Sequence, residues 1–259
     1  MSKKGIKLKT VRQAGLTLLP AMRRLTAAAG ELIFPRVCGG CGGPSDRPSG
    51  HLCWNCFRRL PLLNASCCER CGCRVRTAET HAFLCSACRE HLPAFDRARV
   101  AGRFRGNLRR LTHAFKYSRA LWLTDDLAEL VTGCVVAQFD AAAVDVVVPI
   151  PLFPTRARSR GYNQAALLGA EVARRLDRPF APRALKRVRD TGTQTRLSAV
   201  ARRRNVRDAF VTREAGWVVG RTVLLIDDVM TTGATLSEGA RALKAGGAWR
   251  VWAVAMARA

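Results

Sequence analysis

The stretch VLLIDDVMTTGAT, residues 223–235, carries the residue types best suited to ligand chemistry. Its apolar, partly β-branched start predicts a buried strand that ends at Asp227 and Asp228, after which the chain turns through threonines and a glycine into a helix. In open α/β folds, ligands bind at the carboxyl ends of the strands. The stretch therefore places two carboxylates and a small-residue loop at a ligand-binding edge.

The two parts of this stretch predict different contacts with one ligand. Carboxylates accept hydrogen bonds from vicinal hydroxyls and can also engage Mg²⁺. Backbone N–H groups and hydroxyls at a helix N-terminus bind phosphate, and Gly233 lets the backbone approach it closely. An acidic pair beside such a loop predicts a ribose 5-phosphate ligand. The predicted phosphate loop comprises Thr231, Thr232, Gly233, Ala234 and Thr235.

Two common nucleotide motifs are absent from the sequence. No Gly-x-x-x-x-Gly-Lys-Ser/Thr run occurs, and no Gly-x-Gly-x-x-Gly run follows a predicted strand. This argues against both a Walker-type loop and a dinucleotide-binding fold.

Ten of the eleven cysteines lie between Cys38 and Cys88, mostly as Cys-x-x-Cys pairs. With no secretory signal, such pairs indicate metal binding and not a disulfide framework. Two pairs can close a tetrahedral shell around Zn²⁺, and a full shell of four thiolates makes the zinc structural. The predicted ligands for two zinc ions are Cys38, Cys41, Cys53, Cys56, Cys68, Cys71, Cys85 and Cys88.

The pairing of these motifs is open from sequence alone. Sequential pairing gives two tandem ribbons, whereas interleaved pairing joins the first pair to the third. Cys67 or Cys73 could replace a neighbour in the second site, and His51 or His81 could also serve as ligands. Cys134, on an apolar helical face, is expected in the core.

The elements that position these residues follow from the apolar periodicity. The pattern predicts strands at 97–104, 144–150, 222–227 and 249–257, helices at 107–117, 123–139, 163–176 and 236–245, and a basic loop from about 186 to 204. Strands that alternate with helices indicate an α/β fold with a mostly parallel sheet. The Cys-rich segment before them is too poor in apolar pattern to fold without metal.

The charge of the 259-residue chain points to an anionic ligand. There are 44 Lys and Arg residues against 19 Asp and Glu, a formal net charge of +25, which exceeds what solubility requires. No apolar run approaches the roughly 18 residues needed to span a bilayer, and the basic N-terminus is a poor secretory signal. A cytoplasmic bacterial protein is expected.

Several of these motifs together resemble a known family. Residues 223–235 look like the phosphoribosyl pyrophosphate signature of type I phosphoribosyltransferases, and VVVPIP at 146–151 resembles their strand and pyrophosphate loop. The run RARSRGYNQA at 156–165, the polar residues between Gln194 and Asn205, and the preceding ribbon of Cys-x-x-Cys pairs are similar to the ComF family in particular. This resemblance covers about residues 35–259.

The resemblance implies a domain organisation and residue roles. It implies a double zinc ribbon at 35–93 and a phosphoribosyltransferase-like domain at 94–259. Residues 1–34, outside the resemblance, are expected from their composition to form a basic, partly disordered leader. Asp227 and Asp228 would bind the ribose hydroxyls, with Mg²⁺ accompanying phosphoribosyl pyrophosphate. The implied pyrophosphate loop and flexible loop comprise Pro149, Ile150, Pro151, Arg160, Gln194, Arg203 and Arg204.

Three functional interpretations remain from the sequence. The first is a phosphoribosyltransferase that acts on an unidentified acceptor. The second is a non-enzymatic competence or DNA-uptake protein that senses a sugar phosphate or binds single-stranded DNA through its excess positive charge. The third is an adaptor for a DNA helicase or translocase. The fold alone does not choose among them.

Overall fold

The computed structural model describes residues 36–63, 67–74, 83–192 and 198–259. The predicted leader at 1–34 and Gln194 lie outside these ranges. The helices and strands, in chain order, are α1 (Trp54–Arg58), α2 (Ser86–Glu90), β1 (Arg97–Arg103), α3 (Gly106–Tyr117), α4 (Thr124–Gln138), β2 (Val146–Pro149), α5 (Pro154–Arg160), α6 (Gln164–Leu176), β3 (Leu185–Arg187), α7 (Ala199–Val206), β4 (Phe210–Thr212), β5 (Thr222–Met230), α8 (Ala234–Ala245) and β6 (Arg250–Arg258).

A four-stranded parallel sheet in the order β1-β6-β5-β2 forms the centre of the fold. Helices connect its strands, as parallel pairing requires. The short strands β3 and β4 form a separate antiparallel pair. The prediction of a mostly parallel α/β domain after a Cys-rich segment is confirmed.

Both faces of the sheet are covered, which explains the continuous apolar runs in its strands. In β5, Leu224 and Ile226 point to the face covered by α4 and α6, whereas Val223 and Leu225 point to the face covered by α8. All four side chains are fully buried. The sheet is therefore a rigid platform, and the functional residues lie at its carboxyl edge.

The structure corrects three of the predicted boundaries. Strand β5 does not end at the acidic pair but continues to Met230, because β6 still pairs with it there. Helix α8 begins at Ala234, two residues before the predicted start at Leu236. The predicted basic loop at 186–204 contains the end of β3 and most of α7.

The Cys-rich segment packs directly onto the α/β domain. Arg47 donates to Asp126 of α4 at 2.9 Å, and both side chains are almost completely buried. Asp126 also accepts the backbone N–H of His51 at 2.6 Å. A second contact joins Arg258, at the end of β6, to the carbonyl oxygen of Cys71 at 2.8 Å. These buried polar contacts fix the ribbon segment against the sheet.

Among the helices of the described ranges, none is both long and apolar enough to cross a membrane. The cytoplasmic location stays a prediction.

Candidate functional site

The acidic pair lies where the sheet opens into a crevice. Strand β2 pairs with β5 through Pro149 and Ile226, and its last contact is the N–H of Ile150 on the carbonyl of Ile226 at 2.8 Å. Asp227 and Asp228 follow immediately, so β5 keeps β6 on one side and loses β2 on the other. This is the ligand-binding position of an open parallel sheet.

The two carboxylates differ in their surroundings. Asp228 is buried and forms a 2.9 Å ion pair with Lys116, at the end of α3. Asp227 is half-buried. Burial and the neighbouring charge of Asp228 raise the pKa of Asp227 to about 7, against the lowering effects of the Asp228 backbone N–H, Lys116 and Arg187. Near neutral pH the pair therefore carries less than its full negative charge and favours hydrogen-bond donors or a cation.

The predicted phosphate loop joins β5 to α8 in a conformation that requires glycine. Gly233 has φ of +80° and caps the N-terminus of α8, and the N–H of Ala234 lies 3.4 Å from Oγ1 of Thr232. A Cβ at Gly233 would come within 2.6 Å of Cε of Met230. The backbone angle therefore favours glycine, whereas the contact is with the flexible end of the Met230 side chain.

This loop forms one wall of a cavity of about 580 Å³, which reaches the thiols of the second Cys-rich knuckle and is not lined by Asp227 or Asp228. The opposite wall is the second Cys-rich knuckle, and two arginines contribute positive charge. All residues of the predicted phosphate loop except Thr235 line this cavity. The lining includes Thr231, Thr232, Gly233, Ala234, Arg203, Arg258, Cys71, Cys73, Cys85 and Cys88.

The other predicted site residues are distributed around the same edge. Pro149 ends β2, and Ile150 is buried beside it, with Pro151 next along the chain. Arg160 donates to Oε1 of Gln164 at 2.9 Å and lies over the ring of Tyr117. Arg204 is exposed on α7 and is not among the residues that line the cavity.

The first thiolate cluster joins Cys38, Cys41, Cys53 and Cys56, whose sulfurs all lie within 4.8 Å of one another. The Sγ atoms of Cys41 and Cys53 are 3.9 Å apart, close to the roughly 3.8 Å edge of a tetrahedron with Zn–S bonds of about 2.3 Å. Against burial, which raises it, backbone N–H donors lower the pKa of Cys38 to about 7. This geometry fits zinc.

The second cluster holds one thiol more than tetrahedral zinc needs. Cys68, Cys71, Cys73 and Cys85 lie within 4.8 Å of one another, and the Sγ atoms of Cys71 and Cys85 are 3.7 Å apart. Cys88 is buried and also interacts with the thiols of Cys71 and Cys85. The structure thus adds Cys73 to the predicted set, and Cys88 is not in the group of mutually close sulfurs.

The two clusters show which Cys-x-x-Cys motifs combine into each site. Each gathers consecutive Cys-x-x-Cys motifs, so the described part of the chain has two tandem sites and not an interleaved arrangement. Cys67 lies outside both clusters, and the ring of His51 packs against Trp122. The clusters support two structural zinc ions. His81 lies outside the described residues, and Cys134 packs against the core as expected.

Comparisons with known proteins agree with this two-part organisation. A family model described as "Double zinc ribbon domain" matches residues 29–89, and one described as "Phosphoribosyl transferase domain" matches residues 163–259. Competence protein F of Haemophilus influenzae is 32% identical over 234 residues, which cover 88% of this chain and 99% of that protein. The chain belongs to the ComF family.

Other ComF-type relatives show similar coverage. DNA utilization protein YhgH of Escherichia coli K12 is 33% identical over 211 residues, 76% of this chain and 92% of that protein. Competence protein ComFC of Bacillus subtilis is 27% identical over 216 residues, 76% of this chain and 79% of that protein.

A solved structure with detectable similarity is the glutamine phosphoribosylpyrophosphate amidotransferase of B. subtilis, complexed with ADP and GMP. It is 22% identical, covers 51% of this chain and 25% of its own, and has a TM-score of 0.34. This likeness is too distant to inform the site of the ComF family protein.

Two cationic residues beside the acidic pair were not predicted from the sequence. Lys116 reaches Asp228 from α3, outside the segment that matches the phosphoribosyltransferase domain. Arg187, on β3, is only 6% exposed and interacts electrostatically with Asp227. Neither belongs to a local motif, since it is the tertiary fold that brings each to the pair.

Proposed function

We propose that this ComF family protein binds phosphoribosyl pyrophosphate, or a closely related ribose 5-phosphate, at the acidic pair and the phosphate loop. The observation that carries the proposal is that these residues are adjacent along the chain at one edge of the sheet. Asp227 and Asp228, the loop at 231–234 and the N-terminus of α8 follow one another at the carboxyl edge of the sheet, and the loop opens on a cavity of about 580 Å³. The matching phosphoribosyltransferase domain supports the same ligand class.

The charges of the site suit this ligand. Ribose hydroxyls can donate to the carboxylates of Asp227 and Asp228, and the positive end of α8 faces the 5-phosphate. Carboxylate oxygens are also suitable ligands for Mg²⁺, so the residues fit that ion. When bound with the ligand, Mg²⁺ would supply charge neutralisation for the diphosphate group.

A transfer reaction at this site has a simple bond balance. The bond between C1 of the ribose and the diphosphate oxygen breaks, and pyrophosphate leaves with the electron pair. A bond forms between C1 and a nitrogen of the acceptor, whose proton passes to solvent. The protein's contribution is electrostatic and positional, with the acidic pair orienting the sugar.

Calorimetric titration of phosphoribosyl pyrophosphate with Mg²⁺ tests the proposal. We expect Asp227→Asn to weaken binding about 10- to 100-fold, the effect of losing a hydrogen bond to a charged group. Asp177→Asn is the matched control, because Asp177 is an exposed carboxylate at the far end of α6. Absence of binding to the wild-type protein at millimolar ligand would refute the proposal, as would equal losses in both variants.

A second candidate function, binding of single-stranded DNA, is favoured by the exposed face of α3. Arg109, His113 and Tyr117 form an exposed stripe at intervals of four residues. The ring of His113 lies 5.7 Å from that of Phe104 and 5.6 Å from that of Tyr117, and Arg160 lies over Tyr117. Aromatic rings flanked by arginines provide stacking and phosphate contacts for single strands. The relatives' names, competence and DNA utilization proteins, agree with this.

Fluorescence anisotropy with a labelled oligothymidine at several salt concentrations tests this second function. We expect Tyr117→Ala to weaken binding about 10-fold or more, since stacking on one base contributes about 1–3 kcal/mol. Arg109→Ala should reduce the salt dependence. Trp249→Ala is the control, because Trp249 is 72% exposed at the opposite edge of the sheet. Equal effects of the two aromatic substitutions would contradict a site on α3.

A further inference from the structure

Lys116 occupies a position of α3 where the helical pattern calls for an apolar side chain. Leu108 and Thr112 of this helix are fully buried, and Lys116 continues the same stripe at a spacing of four residues. Its side chain is only 18% exposed, and its Nζ lies 2.9 Å from Oδ2 of Asp228. Because a buried ion pair contributes little more to stability than apolar residues of similar volume, packing alone does not explain a lysine here.

The end of α3 is fixed before any ligand binds. Phe115, the residue before Lys116, is fully buried. Its carbonyl oxygen accepts the hydroxyl of Tyr162, and the centroids of the two rings are 6.3 Å apart. The ammonium of Lys116 therefore reaches the acidic pair from a backbone that the fold already holds in place.

The hydrogen bonds of the acidic pair leave one oxygen for a sugar hydroxyl. Oδ1 of Asp228 accepts the N–H of Val229 at 2.6 Å, and its Oδ2 accepts from Lys116. Oδ1 of Asp227 accepts the N–H of Asp228 at 2.8 Å, whereas no donor among the described residues reaches its Oδ2. A hydroxyl can therefore bind Asp227 without displacing a protein contact, but a metal ion that joins both carboxylates would have to displace Lys116.

The ammonium already supplies the positive charge that a metal ion would bring to the pair. It lies at hydrogen-bond distance from Asp228 and also acts on the charge of Asp227. Among the described residues, no other lysine or arginine forms an ion pair with either carboxylate. Mg²⁺ requires a nearly octahedral shell of oxygen ligands, whereas an ammonium needs only acceptors for its hydrogen bonds. The nearby positive charge also disfavours a second cation.

We propose that Lys116 is the cation of the acidic pair, in the place that Mg²⁺ would otherwise take, so that the pair binds a ribose diol without a metal ion. The inference rests on the proposed ribose 5-phosphate site and specifies its cation. Mg²⁺ then accompanies only the diphosphate group of a ligand that carries one. Lys116 is a positioning residue, because it holds Asp228 and offsets negative charge beside an anionic ligand.

Calorimetric titrations of ribose 5-phosphate in EDTA and in millimolar Mg²⁺ test the proposal, since this ligand has no diphosphate group. We expect the wild type to bind equally well in both buffers. Lys116→Met should bind about 10-fold more weakly or worse in EDTA, the effect of losing a hydrogen bond to a charged group, and Mg²⁺ should restore most of the affinity. Arg110→Met is the matched control, because it removes an exposed positive charge from the same helix. It should bind like the wild type in both buffers.

A second measurement uses Mn²⁺ alone, an ion that prefers the same oxygen ligands as Mg²⁺. Proton relaxation measurements should find one more bound Mn²⁺ per chain in Lys116→Met than in the wild type. If that variant does not fold, Lys116→Arg keeps the positive charge and should bind ribose 5-phosphate in EDTA.

Three results would overturn the role of Lys116 and leave the proposed function intact. They are a wild type that binds ribose 5-phosphate only with Mg²⁺, a wild type that binds phosphoribosyl pyrophosphate but not ribose 5-phosphate, and a loss in Lys116→Met that Mg²⁺ does not reduce. If the wild type binds neither ligand in either buffer, the proposed function itself fails, and the role of Lys116 fails with it.

Discussion

Replacing Asp227 by asparagine should make the protein more stable at alkaline pH while it weakens ligand binding. In the folded protein the pKa of Asp227 is raised from its ordinary 3.8 to about 7, by burial and by the charge of Asp228. A carboxyl group whose pKa is raised by folding does not lower the free energy of unfolding while it is protonated in both the folded and the unfolded protein. It lowers the free energy of unfolding as the pH rises from about 4 to 7, and the loss is constant at higher pH.

The size of this effect follows from the shift in pKa. Three units correspond to at most about 4 kcal/mol, and the partial exposure of the side chain reduces this to about 1–2 kcal/mol. Asparagine has the same shape and does not ionise, so Asp227→Asn should gain all of this free energy above pH 7 and only about one third of it near pH 5.

Urea unfolding in magnesium-free buffer at pH 5 and pH 8 measures the difference. The gain expected at pH 8 should be absent in Asp177→Asn, whose carboxylate is exposed. The assigned charge environment of the pair would be refuted if Asp227→Asn changed the free energy of unfolding equally at both pH values. It would also be refuted if the wild type were the more stable protein at pH 8.

Three further predictions concern the loop, the ribbon contact and the second thiolate cluster. Asp126→Ala removes one of the two carboxylates paired with the buried Arg47, the other being Glu129, together with the acceptor of the His51 backbone N–H. It should lower the free energy of unfolding by about 1–3 kcal/mol; an unchanged urea midpoint would contradict this. Gly233→Ala should weaken phosphoribosyl pyrophosphate binding in calorimetry, because alanine is strained at the positive φ of this position and its Cβ displaces the end of the Met230 side chain; wild-type affinity would show that the loop adapts. Cys73→Ser and Cys88→Ser should each retain two zinc ions per chain, measured by atomic absorption, because four thiols remain in the second cluster. The double variant should retain one zinc ion. Loss of a zinc ion from either single variant would show that the two thiols are not interchangeable.

The sequence predicts the sheet well because its strands are buried on both faces. Runs such as residues 144–150 and 222–227 are apolar apart from Asp145, Thr222 and Asp227, so their apolar character identifies them without knowledge of the fold. The structure extends β5 to Met230 because β6 supplies hydrogen bonds beyond the acidic pair, and that pairing is not visible in local sequence. Helices α5 and α7 were missed for a related reason, since they are short and rich in arginine, and apolar periodicity does not mark them.

The residues of the candidate site also fall into those that local sequence predicts and those that it does not. Asp227, Asp228 and Gly233 could be predicted because they are consecutive and their chemistry depends on local order. Lys116 and Arg187 could not, since each reaches the acidic pair from a distant segment and their neighbours in sequence show only ordinary helical or strand patterns. In the second cluster, the spacing identifies the Cys-x-x-Cys pairs but does not decide between Cys73 and Cys88. The tertiary fold places the sulfur of Cys73 beside those of Cys68, Cys71 and Cys85.

The concentration of buried charge at one edge of the sheet is itself an argument for ligand binding. Asp228, Arg187 and the raised pKa of Asp227 each represent a cost of burial that an apolar side chain would avoid. Elsewhere in β2, β5 and β6 the strand interiors are almost entirely apolar, and the buried Arg99 of β1 donates to carbonyl oxygens of the Cys-rich segment. Folding alone gives no reason to gather both signs of charge where β2 and β5 separate. Since such local violations of packing rules are expected at functional sites, we expect the proposed anionic, hydroxyl-bearing ligand to offset this cost by pairing with both sets of charges.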